Sequence, residues 1–290
     1  MTDVNGTSQH TFDTVAQPTW CPGCGNFGIH TAIKNAFTQL GLVRNEIAVV
    51  TGIGCSGNTA QWYNTNVFHS LHGRTLPVAT GIKLANHELT VLAEGGDGDG
   101  LGIGVGHLVH SIRRNLDITY IIHDNRVYGL TTGQTSPTSV KGFVTKSTPT
   151  GVIEIPVNPI ALAISSGATY VARGYSGDIE HLTKLIADGI KHNGFALIDA
   201  TQVCVSFNHA NTYSWWAERI YRLEDDETYD SRDKMMAFER SQEWGERIPT
   251  GLFYREERAT YEDELPQIAD RPLVGQSMDV DITELMGEHV

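Results

Sequence analysis

At 290 residues the chain is long enough to bury a full core, as one large domain or two small ones. Its 40% apolar and 8% aromatic content are ordinary for a globular protein, and it holds no apolar run of membrane-spanning length. The formal net charge of −13 argues against a nucleic-acid partner, since phosphate contacts need clustered Lys and Arg. Residues 201–290 carry 20 Asp and Glu against 9 Lys and Arg, a net of −11 that leaves −2 for residues 1–200.

Residues 1–17 (MTDVNGTSQHTFDTVAQ) are polar, with neither a basic n-region nor an apolar h-region. They read as a flexible arm without a secretory signal, and a cytoplasmic protein is expected. After Trp20-Cys21-Pro22-Gly23-Cys24-Gly25, the spacing of Phe27, Ile29, Ile33, Phe37 and Leu40 predicts an amphipathic helix. Residues 47–54 (IAVVTGIG) predict a strand that ends at Gly54-Cys55-Ser56-Gly57-Asn58. A polar, aromatic loop follows, then Leu71-His72-Gly73-Arg74, then a helical or mixed stretch over 77–85.

The centre of the chain is the segment from Gly95 to Leu130. Residues 88–96 have strand composition and stop at glycines. Leu101, Val105, Leu108, Val109 and Ile112 predict a helix over 101–115, and 118–122 (ITYII) a strand buried on both faces. This is a βαβ unit, which brings Asp97 and Asn125 to the carboxyl ends of neighbouring strands, where open α/β sheets bind ligands. A carboxylate and an amide oxygen there suit Mg2+ bridging a diphosphate, with Gly96 and Gly98 letting the backbone come close. A helix N-terminus near Leu101 would face the phosphates. The pattern Gly96-Asp97-Gly98, twenty-six intervening residues, then Asn125 resembles the motif of thiamine-diphosphate-dependent enzymes.

Residues 131–157 are rich in Thr, Ser, Gly and Pro and predict a long loop. Helices are expected over 158–167 and 178–192, and strands over 169–174 and 195–200. The alternation gives a doubly wound, mostly parallel α/β sheet spanning 18–213. Residues 214–290 read as a C-terminal extension that touches another subunit, with some helix over 231–244 and a polar extended tail.

Four cysteines, Cys21, Cys24, Cys55 and Cys204, are the number needed for one tetrahedral metal or one cluster. Cys55 and Cys204 each lie just past a predicted strand end, so both belong to the sheet edge that carries Asp97. Nothing marks the chain as secreted, which disfavours disulfides. Buried unpaired thiols remain open, as does structural zinc, although the cysteines lack its usual two compact knuckles. A [4Fe–4S] cluster is the favoured reading, with zinc second. A cluster beside a thiamine cofactor makes chemical sense, since it can draw off singly the electrons left when a 2-oxoacid loses CO2.

The segments WCPGCGNFG (20–28), GIGCSGN (52–58), LHGR (71–74), GGDGDGLGIG (95–104), HDNRVYGLTTGQTSPTS (123–139), VNPIALAISSGATYVARGY (157–175) and EWGERIP (243–249) together resemble the beta subunit of 2-oxoacid:ferredoxin oxidoreductases over roughly residues 18–255. The resemblance implies CoA-dependent oxidative decarboxylation of a 2-oxoacid to an acyl-CoA, with ferredoxin as electron acceptor and CO2 fixation as the reverse. It implies Cys21, Cys24, Cys55 and Cys204 as ligands of a [4Fe–4S] cluster. Asp97 and Asn125 would bind Mg2+ through side chains, and Val127 through its carbonyl. Ile53, Gly54, Cys55, Ser56, His72, Gly96, Gly98, Asp99, Gly129 and Leu130 would line thiamine diphosphate.

His72 and Asn58 are the candidate substrate contacts. Several members of the family carry Lys directly after Cys-Ser-Gly, where this chain has Asn58, a neutral donor in place of a cation. The stretch EWGERIPTGLFYREERATYEDELP (243–266) resembles the 2-oxoglutarate branch, so 2-oxoglutarate is expected ahead of pyruvate. The chain has room for one cofactor-binding sheet, and the family supplies the pyrimidine-binding domain on an alpha subunit. An active site at a subunit interface, in an (αβ)2 heteromer, is therefore expected. Two rival readings are a non-redox thiamine-dependent decarboxylase or ligase with structural zinc, and a non-catalytic nucleotide-binding scaffold.

Overall fold

The computed structural model describes residues 9–277, 279 and 281–288. A single turn of 3-10 helix (Gln9–Phe12) precedes α1 (Asn26–Gln39), β1 (Ile47–Thr51), β2 (Asn66–His69), α2 (Thr75–Ala85) and β3 (Thr90–Gly96). A π-helical turn (Asp99–Ile103) leads into α3 (Val105–Arg114), β4 (Thr119–Asp124) and a small hairpin of β5 (Val127–Tyr128) and β6 (Gln134–Thr135). Then come α4 (Pro159–Ser166), β7 (Tyr170–Tyr175), α5 (Ile179–Lys191) and β8 (Ala196–Thr201). The last part holds α6 (Tyr213–Ala217), β9 (Ile220–Arg222), α7 (Lys234–Ser241), β10 (Ile248–Arg255) and α8 (Thr283–Gly287).

Eight strands form one sheet in the order β2-β1-β3-β4-β8-β7-β10-β9. Every neighbouring pair is parallel except β7 with β10. Successive side chains of a strand point to opposite faces, so adjacent apolar residues feed two cores. Val49, Leu92, Ile121 and Ile198 pack under Ile29, Ile33 and Phe37 of α1 and Leu182, Leu185 and Ile186 of α5. On the other face Val50, Ala93, Ile122 and Leu197 meet Leu76 of α2, Leu108 and Ile112 of α3, and Ile160 and Ile164 of α4. Strands β4 and β8 are buried along their whole length, in keeping with the apolar runs Tyr120-Ile121-Ile122 and Ala196-Leu197-Ile198 at their centres.

Four features differ from the sequence expectations. Of the polar arm, residues 1–8 lie outside the described residues; Phe12, however, is fully buried against Phe37, and Asp13 pairs with Lys34. The stretch read as a polar, aromatic loop after Asn58 contains the edge strand β2, whose only apolar residues, Val67 and Phe68, make too short a run to announce a strand. The central helix is α-helical only from Val105, with a π-helical turn over Asp99–Ile103 before it, the kind of local widening found at functional sites. Finally, the chain beyond 213 is continuous with the main sheet: β10 pairs with β7, and Ile248 and Phe253 are fully buried.

Candidate functional site at the carboxyl edge of the sheet

Register places the site. Leu92 to Gly96 of β3 lie beside Thr119 to His123 of β4, so Asp97 and the pair Asp124-Asn125 leave the sheet together. Beside them emerge Gly52 to Ser56 after β1 and Gln202 to Cys204 after β8. A cavity at this edge is lined by Ile53, Gly54, Cys55, Ser56, His72, Gly96, Asp97, Gly98, Asp99, Asn125, Val127, Gly129 and Leu130. Every residue expected around the diphosphate and its cation is therefore in one wall.

Gly98 shows why glycine is needed there. A Cβ at that position would lie 2.2 Å from the ring of Tyr128, whose hydroxyl donates to the Gly98 carbonyl at 2.9 Å. Asp99 lines the cavity, but its carboxylate is turned into the protein. It accepts from the backbone N–H of Ile53 at 3.2 Å and of Gly73 at 2.7 Å, and from the Thr75 hydroxyl at 3.3 Å. It thus ties the β1 loop, the LHGR loop and α2 to the glycine turn. His72 Nδ1 lies 3.3 Å from the same carboxylate, with the ring half-exposed at the cavity rim.

The Asp97 carboxyl is buried, and burial together with the neighbouring Asp124 carboxylate pushes its pKa up to about 7. The Thr138 hydroxyl lies 2.6 Å from Asp97 Oδ2 and 2.8 Å from Asp124 Oδ1. One hydroxyl carries one proton and serves one of the two carboxylates at a time, and Asp124 Oδ2 has no hydrogen-bond partner. Asp124 Oδ2 is thus an orphaned buried carboxylate oxygen, and with Asp97 beside it the edge offers hard oxygen donors that fit a divalent cation. The Asn125 side-chain oxygen accepts from Val127 N–H at 3.0 Å, and the Asn125 carbonyl accepts from Asn208 Nδ2 at 3.0 Å. Between them Arg126 adopts φ +63°, with its guanidinium 3.6 Å from the centre of the Trp244 ring. That stacking seats the EWGERIP segment against the loop that carries Asn125.

A second cavity is ringed by all four cysteines, Cys21, Cys24, Cys55 and Cys204, together with Trp20, Asn26, Asn58 and Phe207. Cys21 and Cys24 come from the turn before α1, Cys55 from the β1 loop and Cys204 from the end of β8. The backbone N–H of Asn26 bonds the Cys24 sulfur, and the Ser206 hydroxyl donates to Cys21 Sγ at 3.0 Å. Trp20 Nε1 donates to the Cys55 carbonyl at 2.7 Å. Burial pushes the Cys24 thiol up to about 12 and the Cys55 thiol up to about 11, neighbouring sulfurs adding to the effect. No group of three or more His, Cys, Asp or Glu side chains among the described residues forms a site for a single metal ion. Asn58 belongs to this cavity and is absent from the wall that holds Asp97.

The two cavities share Cys55, Asn125, Gly129 and Leu130. Sequence reasoning missed His123, Tyr128, Thr131 and Gln202 of the first wall, and Thr138 behind it. His123 and Tyr128 flank Asn125 closely enough to have been found by extending the motif. Gln202 and Thr138 carry no local signal, since only the fold brings them to Asp97.

The family model described as "Thiamine pyrophosphate enzyme, C-terminal TPP binding domain" matches residues 52–200. A second model, for the C-terminal part of the pyruvate ferredoxin oxidoreductase beta chain, matches residues 204–270. Fold and cavity together define a thiamine-diphosphate-binding α/β domain. A 2-oxoacid:ferredoxin oxidoreductase subunit beta from Sulfolobus sp is 50% identical over 258 residues, 85% of this chain and 85% of its own. The 2-oxoglutarate oxidoreductase subunit KorB of Mycobacterium tuberculosis is 45% identical over 189 residues, 65% of this chain and 51% of its own. A solved structure of 2-oxoglutarate:ferredoxin oxidoreductase from Magnetococcus marinus, with 2-oxoglutarate, coenzyme A and succinyl-CoA bound, superposes with a TM-score of 0.91 at 35% identity. It covers 98% of this chain and 96% of that one. The chain belongs to the family of 2-oxoacid:ferredoxin oxidoreductase beta subunits.

Proposed function

We propose that this subunit oxidises 2-oxoglutarate to its acyl-CoA and CO2, with Mg2+-bound thiamine diphosphate in the first cavity and a [4Fe–4S] cluster in the second. The observation that carries this reading is the shared wall: Cys55, Asn125, Gly129 and Leu130 belong to both cavities. Thiamine diphosphate supplies the electron sink for loss of CO2, and the cluster a one-electron path outward to ferredoxin.

The chain's own residues do the holding. Asp97 and Asn125 present side-chain oxygens to Mg2+, and Val127 presents its carbonyl. Gly96 and Gly98 admit the diphosphate, while Ile53, Gly54, Ser56, Gly129 and Leu130 complete its wall. Asp99 acts from behind, fixing Ile53 and Gly73 through hydrogen bonds. His72 at the rim and Asn58 on the cysteine side face the entering substrate. Neither cavity wall carries a Lys or Arg among the described residues, so the counter-charge for a second substrate carboxylate comes from outside these walls. An alpha subunit with the pyrimidine-binding domain, in an (αβ)2 heteromer, supplies the missing half of the site. Leu71, Ile103 and Leu130 stand exposed near the rim, where such a subunit would lie over them. The cytoplasm is the expected compartment; no helix among the described residues is long and apolar enough to cross a membrane.

Four thiols lining one cavity that shares a wall with the diphosphate side support a cluster as the electron path. The test is iron, acid-labile sulfide and zinc content of the complex purified without oxygen. About four irons and four sulfides per beta subunit, after subtracting clusters on the partner, are expected. Zinc without sulfide would overturn the redox role. With the cluster established, kcat/KM for 2-oxoglutarate is expected to exceed that for pyruvate, and the reverse order would overturn the substrate.

A further inference from the structure

We propose that the side-chain amide of Asn26 donates an N–H···S hydrogen bond to the cluster in the thiol ring, held in that pose by the buried His123–Glu94 pair. It thereby raises the cluster's reduction potential. The inference rests on the cluster reading above and assigns a positioning and tuning role to three residues that bind nothing by themselves.

Asn26 is the first residue of α1, two positions after Cys24. It is 0% exposed, yet it lines the cavity ringed by the four cysteines. Its backbone N–H already bonds the Cys24 sulfur. Its side-chain oxygen lies 2.9 Å from His123 Nδ1, and its Nδ2 is buried without a hydrogen-bond partner in the protein. A buried amide donor without an acceptor is costly, and the sulfurs of a cluster are acceptors in the right place.

The pose is enforced from behind. His123 Nε2 lies 3.0 Å from Glu94 Oε2, and the other Glu94 oxygen accepts the Thr59 hydroxyl. His123 and Glu94 are both fully buried, so this chain of hydrogen bonds is shut off from solvent. In the tautomer that carries its proton on Nδ1, His123 donates to the Asn26 oxygen, and turning the amide over would set its NH2 against that N–H. With the oxygen committed to His123, Nδ2 is left for the cavity. N–H donors to cluster sulfurs favour the reduced, more negative state and so raise the potential. His123 also lines the cavity of the diphosphate, so one side chain touches both the cofactor wall and the residue that tunes the electron acceptor.

The experiment uses the complete complex, purified without oxygen. Iron and sulfide content of the wild type comes first; their absence overturns the cluster reading and this inference with it. With the cluster present, the midpoint potential is read by redox titration followed by electron paramagnetic resonance. Asn26→Asp keeps the acceptor for His123 and replaces the amide donor with oxygen. Its expected effect is an about tenfold less favourable one-electron reduction, a fall of ~59 mV. Asn26→Leu is expected to fall in the same direction, with thiamine diphosphate still bound. An unchanged or raised potential in a cluster-loaded variant would overturn the proposal. Should neither variant assemble, wild-type complex carrying 15N-amide asparagine is examined in its reduced state by electron–nuclear double resonance. A nitrogen coupling to the cluster that persists in the Asn58→Ala and Asn125→Ala complexes, whose side chains line the same cavity, supports the proposal, and its absence from the wild type overturns it.

Discussion

The two cavities differ in how they are built. The carboxylate side is made by two adjacent strands: β3 and β4 run in register, Asp124 closes β4, and Asp97 and Asn125 directly follow the two strands. The thiol side is made by three separate segments, the turn before α1, the loop after β1 and the end of β8, and its geometry comes only from tertiary packing. A site on neighbouring strand ends is rigid before any ligand arrives, whereas a site on three loops gains order from what it binds. The comparison predicts that the sites can be lost separately.

The largest expected effect is that separation. Asp97→Ala should weaken Mg2+-dependent thiamine diphosphate binding by about a hundredfold or more, measured by calorimetry on the complex, while iron content stays at the wild-type level. Cys204→Ser should do the reverse, removing iron and sulfide while thiamine diphosphate is retained. Loss of both groups in either variant would show that the shared wall makes them one cooperative site.

A smaller effect is expected behind the carboxylates. Thr138→Val removes the hydroxyl that lies between Asp97 and Asp124, and should weaken Mg2+ binding about 10–100-fold without changing the cluster's spectrum. No change in Mg2+ affinity would mean that the two carboxylates need no hydroxyl between them.

The smallest effect is on pH. The Asp97 pKa is raised from 3.8 to about 7, so between these values the folded apoprotein binds a proton that the unfolded chain has released. That contribution to stability is full at low pH and is lost as pH rises through about 7. Relative to Asp97→Asn, the melting temperature of the apo complex should therefore decline from pH 4 to pH 7. Mg2+ needs the ionised carboxylate, so its affinity should rise over the same interval and level off above it. Parallel melting curves for the two proteins would place the raised pKa on another group.

The carboxylate side was legible because its residues are close in sequence. A strand-to-helix glycine turn and an asparagine after the next strand reveal themselves by spacing, and the structure brings Asp97, Asn125 and Val127 into one wall. The cysteines were legible for a different reason: Cys55 and Cys204 both follow apolar strands whose shared direction puts their ends on one edge. Partners that lie across the fold were not. Thr138 sits in a loop without periodicity, and Glu94 reads as an ordinary residue of a strand until His123 is seen beside it. Strand β10 escaped because its antiparallel partner, β7, lies more than seventy residues earlier, and no local pattern announces so distant a pairing.

The route the chain takes to close the thiol ring has a consequence for its synthesis. Cys21 and Cys24 leave the ribosome early, but Cys204 follows only after 180 further residues (204 − 24). At roughly 5–20 residues per second, the first two thiols wait on the order of ten seconds or more before the last member of the ring exists. During that interval they are a bare CxxC pair on a nascent chain, open to oxidation or to capture by any soft metal in the cell. Correct filling of this site is therefore a problem of timing as well as of geometry.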